Sequence, residues 1–220
     1  MAAAPTPRTR LSRADRMEQT LEVAHDLFAA RGFAAVTMDD IAAAVGVTKP
    51  LLYNYFGNKE RLYVACMERA GDALFATIEE TVRPSSNPGD LLNDGLRAFF
   101  AFLDADRAAW AVLFDETLPQ SGVVADRVAD YRGRVLELVA DSLLAQLPPR
   151  RRDAASTEVE ALSTALMGAA EALARWWLLT EAVSAQEAAE LLISTIEPGL
   201  RQRSEPAARA SNSKSKGDRS

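Results

Sequence analysis

The chain has 220 residues, 48% of them apolar and 25% charged, and carries a formal net charge of −6. That length can bury a sizeable core in one domain or two, and no apolar run approaches the roughly 20 residues a membrane-spanning helix needs. A single cysteine, Cys66, excludes an intrachain disulfide and a cysteine-cluster metal site, and a single histidine, His25, leaves little material for a zinc or Ser-His-Asp site. No metal, cofactor or enzymatic activity is therefore expected.

The chain opens on a polar arm, residues 1–12, without the apolar segment of an export signal, so a soluble, cytoplasmic protein is expected. Arg8, Arg10, Arg13 and Arg16 face only Asp15 there and give the start of the chain a local basic character. Residues 1–63 carry a net charge of +1, residues 64–205 carry −10 and residues 206–220 carry +3. An acidic body behind a mildly basic front is compatible with a nucleic-acid contact confined to the front.

Alanine, leucine and charged residues dominate, and no alternating strand pattern competes with helix, so an all-α fold is expected. A first helix reads from about Ser12 to Arg31, with Met17, Leu21, Ala24 and Phe28 on one face and Gly32 as its stop. Thr37 can cap a short helix from Met38 to Val45 that Gly46 ends. Thr48 can cap a third, with Pro50 in its first turn, and Asn58 a fourth that runs from Lys59 to about Val82. Pro84, Asn87, Pro88 and Gly89 then break the chain.

In the second part, Leu92, Leu96, Phe99 and Leu103 form one apolar stripe, and Val124, Val128, Tyr131, Val135, Leu138 and Leu143 contribute to another. Leu162, Leu166, Ala169, Leu173, Trp176 and Thr180 mark the next helix, and the last begins near Ser184 and carries Leu192, Ile196 and Leu200. The segment 204–220 has too little apolar surface to pack and is expected to be disordered.

Met38–Val45 and the helix after Thr48, joined through Gly46, have the form of a helix-turn-helix, whose later helix enters the major groove of DNA. Ile41, Val45, Leu52 and Phe56 can hold the pair together. The opposite face offers hydroxyls from Thr48 and Tyr55, charge from Lys49 and Lys59, and apolar contact from Leu51 and Tyr53. The stretch GFAAVTMDDIAAAVGVTKPLLYNYFGNKERLY, within residues 13–63, resembles the N-terminal domain of the tetracycline-repressor (TetR) family of bacterial transcription regulators. The resemblance implies a helix-turn-helix domain over 13–63, an effector-binding and dimerisation domain over 64–203, and a homodimer that reads a palindromic double-stranded DNA operator. It further implies a repressor released by a small-molecule effector. Lys49, Leu51 and Tyr53 then correspond to base-facing positions, and Thr37, Thr48, Tyr55 and Lys59 to phosphate partners. Pro50 stands where many members have glycine and belongs to the same DNA-binding set.

The effector pocket is expected among Phe99, Phe102, Trp110, Phe114, Tyr131 and Trp176, and the dimer interface among Leu173, Trp177, Leu192, Ile196 and Leu200. Core packing is the alternative for each aromatic. From a different class, a helical small-molecule or lipid-binding protein, or an enzyme, could use the C-terminal cavity and keep the DNA-binding unit as a vestige. Cys66 reads as a small buried hydrophobe, with redox sensing as its alternative, and His25 as a packed helix residue.

Overall fold

The computed structural model describes residues 12–83, 87, 89–115, 117–147 and 149–204. The expected arm, but for Ser12, and the expected tail, but for Ser204, lie outside them. Helices run Arg13–Ala35 (α1), Met38–Val45 (α2), Lys49–Phe56 (α3), Lys59–Val82 (α4), Leu91–Ala105 (α5), Arg107–Leu113 (α6), Val123–Ala145 (α7), Pro149–Arg152 (α8), Ser156–Thr180 (α9) and Ala185–Ser204 (α10). A 3-10 turn, Asp153–Ala155, precedes α9, and no strand occurs among the described residues. None of the described helices is long and apolar enough to cross a membrane.

The helix starts follow local chemistry. Ser12 and Asp15 close a reciprocal capping box on α1, as Thr37 and Asp40 do on α2. Asn58 Oδ1 accepts the Arg61 amide, which caps α4. Thr48 occupies the cap position of α3 without making the side-chain bond expected of it. Gly32 breaks the α-helical path inside α1 at φ 74° and ψ 161°, so the predicted stop is present even though helical hydrogen bonding resumes to Ala35.

The described residues up to Leu74, together with Asp106–Tyr131, form one compact unit, and Phe75–Ala105 with the described residues from Arg132 onward form a second. In the first unit α6 packs along α1. Phe28 and Phe33 lie edge-on to Tyr63 at centroid distances of 4.8 and 5.0 Å, and the Tyr63 hydroxyl donates to the Val112 carbonyl at 2.6 Å. Burial, then the nearby Asp115 charge, pushes the Tyr63 phenol far above its ordinary pKa, so it remains a donor.

In the second unit α10 lies along α5 and α9. Ala188 and Ala189 are fully buried and have no side chain long enough to hold the helices apart. Trp177 of α9 is 2% exposed, meets Phe100 edge-on at 5.9 Å and donates its indole N–H to the Val183 carbonyl at 2.9 Å. Burial of a side chain such as Phe100, which is fully buried, contributes about 1.5–3 kcal/mol. At the edge of this core Arg97 ties α5 to α10 through Glu190 at 2.7 Å.

Candidate nucleic-acid interface

The interface is built from α2 and α3, whose relative direction is set at one turn. Gly46 adopts the left-handed conformation at φ 74° and ψ 36°. Its amide reaches the carbonyls of Ala42 and Ala43, and the Val47 amide bonds to Ala42 at 3.0 Å. These bonds satisfy the carbonyls at the end of α2 and turn the chain into α3. Ile41, Val45, Leu52 and Phe56 are all buried, so the inner face of the motif is apolar as expected.

The outer face of α3 exposes Thr48, Lys49, Pro50, Tyr53 and Asn54. Leu51 and Tyr55 are half-buried and lie at its margins. Tyr53, at 42% exposure, is a large aromatic left open to solvent on the helix that would enter a groove. Lys49 donates to Asp39 Oδ2 at 2.9 Å across the turn, and this hydrogen bond and the charge of Asp39 hold the ammonium above its ordinary pKa. The Arg13 guanidinium lies 5.5 Å from the centre of the Tyr55 ring.

Two expected phosphate partners have internal roles. Lys59 donates to the carbonyls of Phe33 and Val36 at 3.0 and 3.1 Å and packs over the Phe33 ring. It thereby satisfies carbonyls after the Gly32 break. Thr37 is engaged with Asp40, donating to Oδ2 at 2.7 Å and accepting the Asp40 amide at 3.1 Å. The Thr37 hydroxyl first, and then the Thr37 amide, which donates to Oδ2 at 2.9 Å, hold the Asp40 carboxyl below its ordinary pKa, with Arg31 adding to the effect.

Asn54, Arg13 and Asp39 were absent from the expected interface. Asn54 could have been found from its position one turn after Pro50 on the same helix face. Arg13 belongs to the basic start of the chain already noted, but no local pattern joins it to Tyr55. Asp39 shows no local signal, because its partner lies ten residues away.

The expected effector residues fall in both units. Trp110 and Phe114 stack at 4.1 Å in the first. Tyr131, in the same unit, is buried across Gly71 and donates to the Glu68 carbonyl at 3.1 Å, so its ring serves the packing of α7 on α4. In the second unit Phe102 is buried, Phe99 is half-buried and Trp176 is exposed. Among the expected interface residues, Leu173, Ile196 and Leu200 are half-buried. Trp177 and Leu192 are buried in their own protomer and present little surface to a partner. The large apolar side chains exposed on α9 and α10 are Trp176, Leu179 and Leu191. Cys66 is buried beside the Leu21 carbonyl, and burial pushes its thiol up to about 12, which argues against redox sensing.

Residues 21–66 match the model of bacterial regulatory proteins of the tetR family, and residues 88–197 match that of a tetracyclin repressor-like C-terminal domain. The HTH-type transcriptional activator FasR of Mycolicibacterium smegmatis is 34% identical over 119 residues, which cover 54% of each chain. The HTH-type transcriptional repressor KstR2 of Mycobacterium tuberculosis H37Rv is 30% identical over 122 residues, covering 53% of this chain and 61% of the relative. The chain thus spans less than two thirds of the length of these two relatives. A TetR-like transcriptional regulator from Rhodococcus sp. RHA1 superposes with a TM-score of 0.72 at 32% identity, over 87% of this chain and 99% of that one. With both segments matched and a solved relative covered almost end to end, the chain belongs to the TetR family of bacterial regulatory proteins.

Proposed function

We propose that the protein is a sequence-specific DNA-binding transcriptional regulator that acts in the cytoplasm as a homodimer and leaves a palindromic operator when a small-molecule effector binds. The observation that carries the DNA-binding reading is α3, which buries Leu52 and Phe56 against the motif and turns Lys49, Pro50, Tyr53 and Asn54 outward. Those outward groups combine charge, hydrogen bonding and apolar contact, as groove recognition requires. Thr48 has a hydroxyl not used in capping, which suits a phosphate contact. The proposed sign is repression; the relatives carry both signs in their names, FasR as an activator and KstR2 as a repressor.

Dimerisation is assigned to α9 and α10. Trp176, Leu179 and Leu191 supply its most exposed apolar surface, and Leu173, Ile196 and Leu200 its margins. The effector reading is supported by Ser163 of α9, whose hydroxyl is buried without a hydrogen-bond partner, a deficit that a polar ligand group could satisfy. It rests further on Phe99 of the same unit, which is half-buried.

Selection of bound sites from genomic DNA tests the reading directly. A two-fold related site is expected, with Tyr53→Ala altering base preference by about 1–3 kcal/mol. Leu191→Glu should convert a dimer into a monomer in sedimentation and weaken binding to the paired half-sites. Failure of the wild-type chain to select any sequence would remove the proposal.

A further inference from the structure

Asp39 is an acidic side chain on a surface read as facing DNA. It stands in the first turn of α2, is exposed, and holds the Lys49 ammonium at 2.9 Å. Its neighbour Asp40 is accounted for by the capping box with Thr37 and by Arg31. Asp39 takes no part in that cap. Exposed ion pairs add little to stability, so the energy of the pair does not explain its place. Its geometry has a clearer consequence.

A lysine ammonium is a compact charge with three equivalent donors on a flexible four-carbon stem. Unrestrained, Lys49 could meet any phosphate within reach and would add to binding that ignores sequence. Asp39 occupies one donor and leaves two for other acceptors. The anchor is rigid, because the turn at Gly46 fixes α2 against α3 and Lys49 is the first residue of α3. One turn further on, Tyr53 is exposed on the same helix. The paired charges also cancel beyond short range, which lowers the sequence-independent attraction to phosphates.

We propose that Asp39 is a positioning residue for sequence reading: it remains paired with Lys49 on the operator and directs the remaining Lys49 donors to a base edge rather than a phosphate. The inference rests on the DNA-binding reading above. Both Lys49 and Asp39 are solvent-exposed, so Asp39→Asn should preserve the fold, as circular dichroism can check.

The test compares wild type, Asp39→Asn, Lys49→Met and the double variant on a selected duplex and a scrambled one at several salt concentrations. In Asp39→Asn, affinity for the scrambled duplex should rise about fivefold to tenfold near 0.1 M salt, and its salt slope should steepen by about one. The ratio between selected and scrambled affinities should fall about fivefold or more, the low end of what one base contact supplies. In the Lys49→Met background the same change should leave that ratio unaltered. Equal gains on both duplexes, or the same gains without Lys49, would reduce Asp39 to simple repulsion and overturn the proposal. A wild-type chain that binds both duplexes equally would overturn the DNA-binding reading and the role of Asp39 with it.

Discussion

Lys59, the first residue of α4, holds its ammonium 4.3 Å from the ring centre of Phe33 while donating to the Phe33 carbonyl at 3.0 Å. With the Val36 carbonyl as a second acceptor, two of the three ammonium donors are directed inward. Lys59→Met should therefore lower stability by about 1.5–3 kcal/mol, the range for hydrogen bonds to a charged group. Urea denaturation gives this value. The salt slope of duplex binding should fall by less than the full unit a direct phosphate contact would give.

Gly71 is required by the ring of Tyr131. A Cβ at position 71 would lie 2.2 Å from Tyr131 Cε1, inside any permitted contact. The ring cannot move away freely, since its hydroxyl is bonded to the Glu68 carbonyl and to Asp72. Gly71→Ala should destabilise the protein by about 1–3 kcal/mol, as overpacking does. Thermal unfolding would measure the loss, and Tyr131→Leu in the same chain should recover part of it.

The capping box of α2 predicts a pH signature. Asp40 has its carboxyl pKa lowered from the ordinary 3.8 by its bonds to Thr37. A folded value below the unfolded one contributes stability above the unfolded pKa, and that contribution is lost as pH falls through the folded value. The stability difference between wild type and Asp40→Asn should stay constant between about pH 5 and 8 and close below about pH 4. Denaturant titrations across that range would check the sign.

Cys66 should resist alkylation in the folded protein. Its thiol is raised to about 12 by burial, so at pH 8 it is both protonated and inaccessible. Iodoacetamide labelling followed by mass spectrometry should be slow in buffer and complete in denaturant. Rapid labelling of the native protein would contradict this placement.

Legibility in the sequence followed the range of the interactions. Thr37, Gly46 and Asn58 act on neighbours within a few residues, and the elements they bound, α2, α3 and the start of α4, were read correctly. Leu166 is buried as expected, but beyond it the expected phase of α9 departs from the structure by one residue. The expected stripe ran through Leu173 and Trp176, whereas the deeply buried positions include Ala174 and Trp177. Adjacent tryptophans differ by about 100° around a helix, and composition does not choose between them when both flanks are apolar. The choice is made by Phe100 and the Val183 carbonyl, which meet Trp177. The internal role of Lys59 was not legible for a similar reason: its acceptors precede it by more than twenty residues.

The hydrogen bond from the Phe33 amide to Asp115 Oδ2, at 2.7 Å, joins residues 82 apart. Together with the Tyr63–Val112 bond, it makes part of the support for the helix-turn-helix motif arrive late in the chain. A fragment ending at Leu74 would leave the Phe33 amide and the Tyr63 hydroxyl without these partners, and a ribosome that has released only that far has not yet supplied them. For protein engineering, a transplant of the helix-turn-helix unit onto another body should carry residues 106–131 with it. A graft cut at the end of the recognisable motif would carry α2 and α3 but lose part of the frame that supports them.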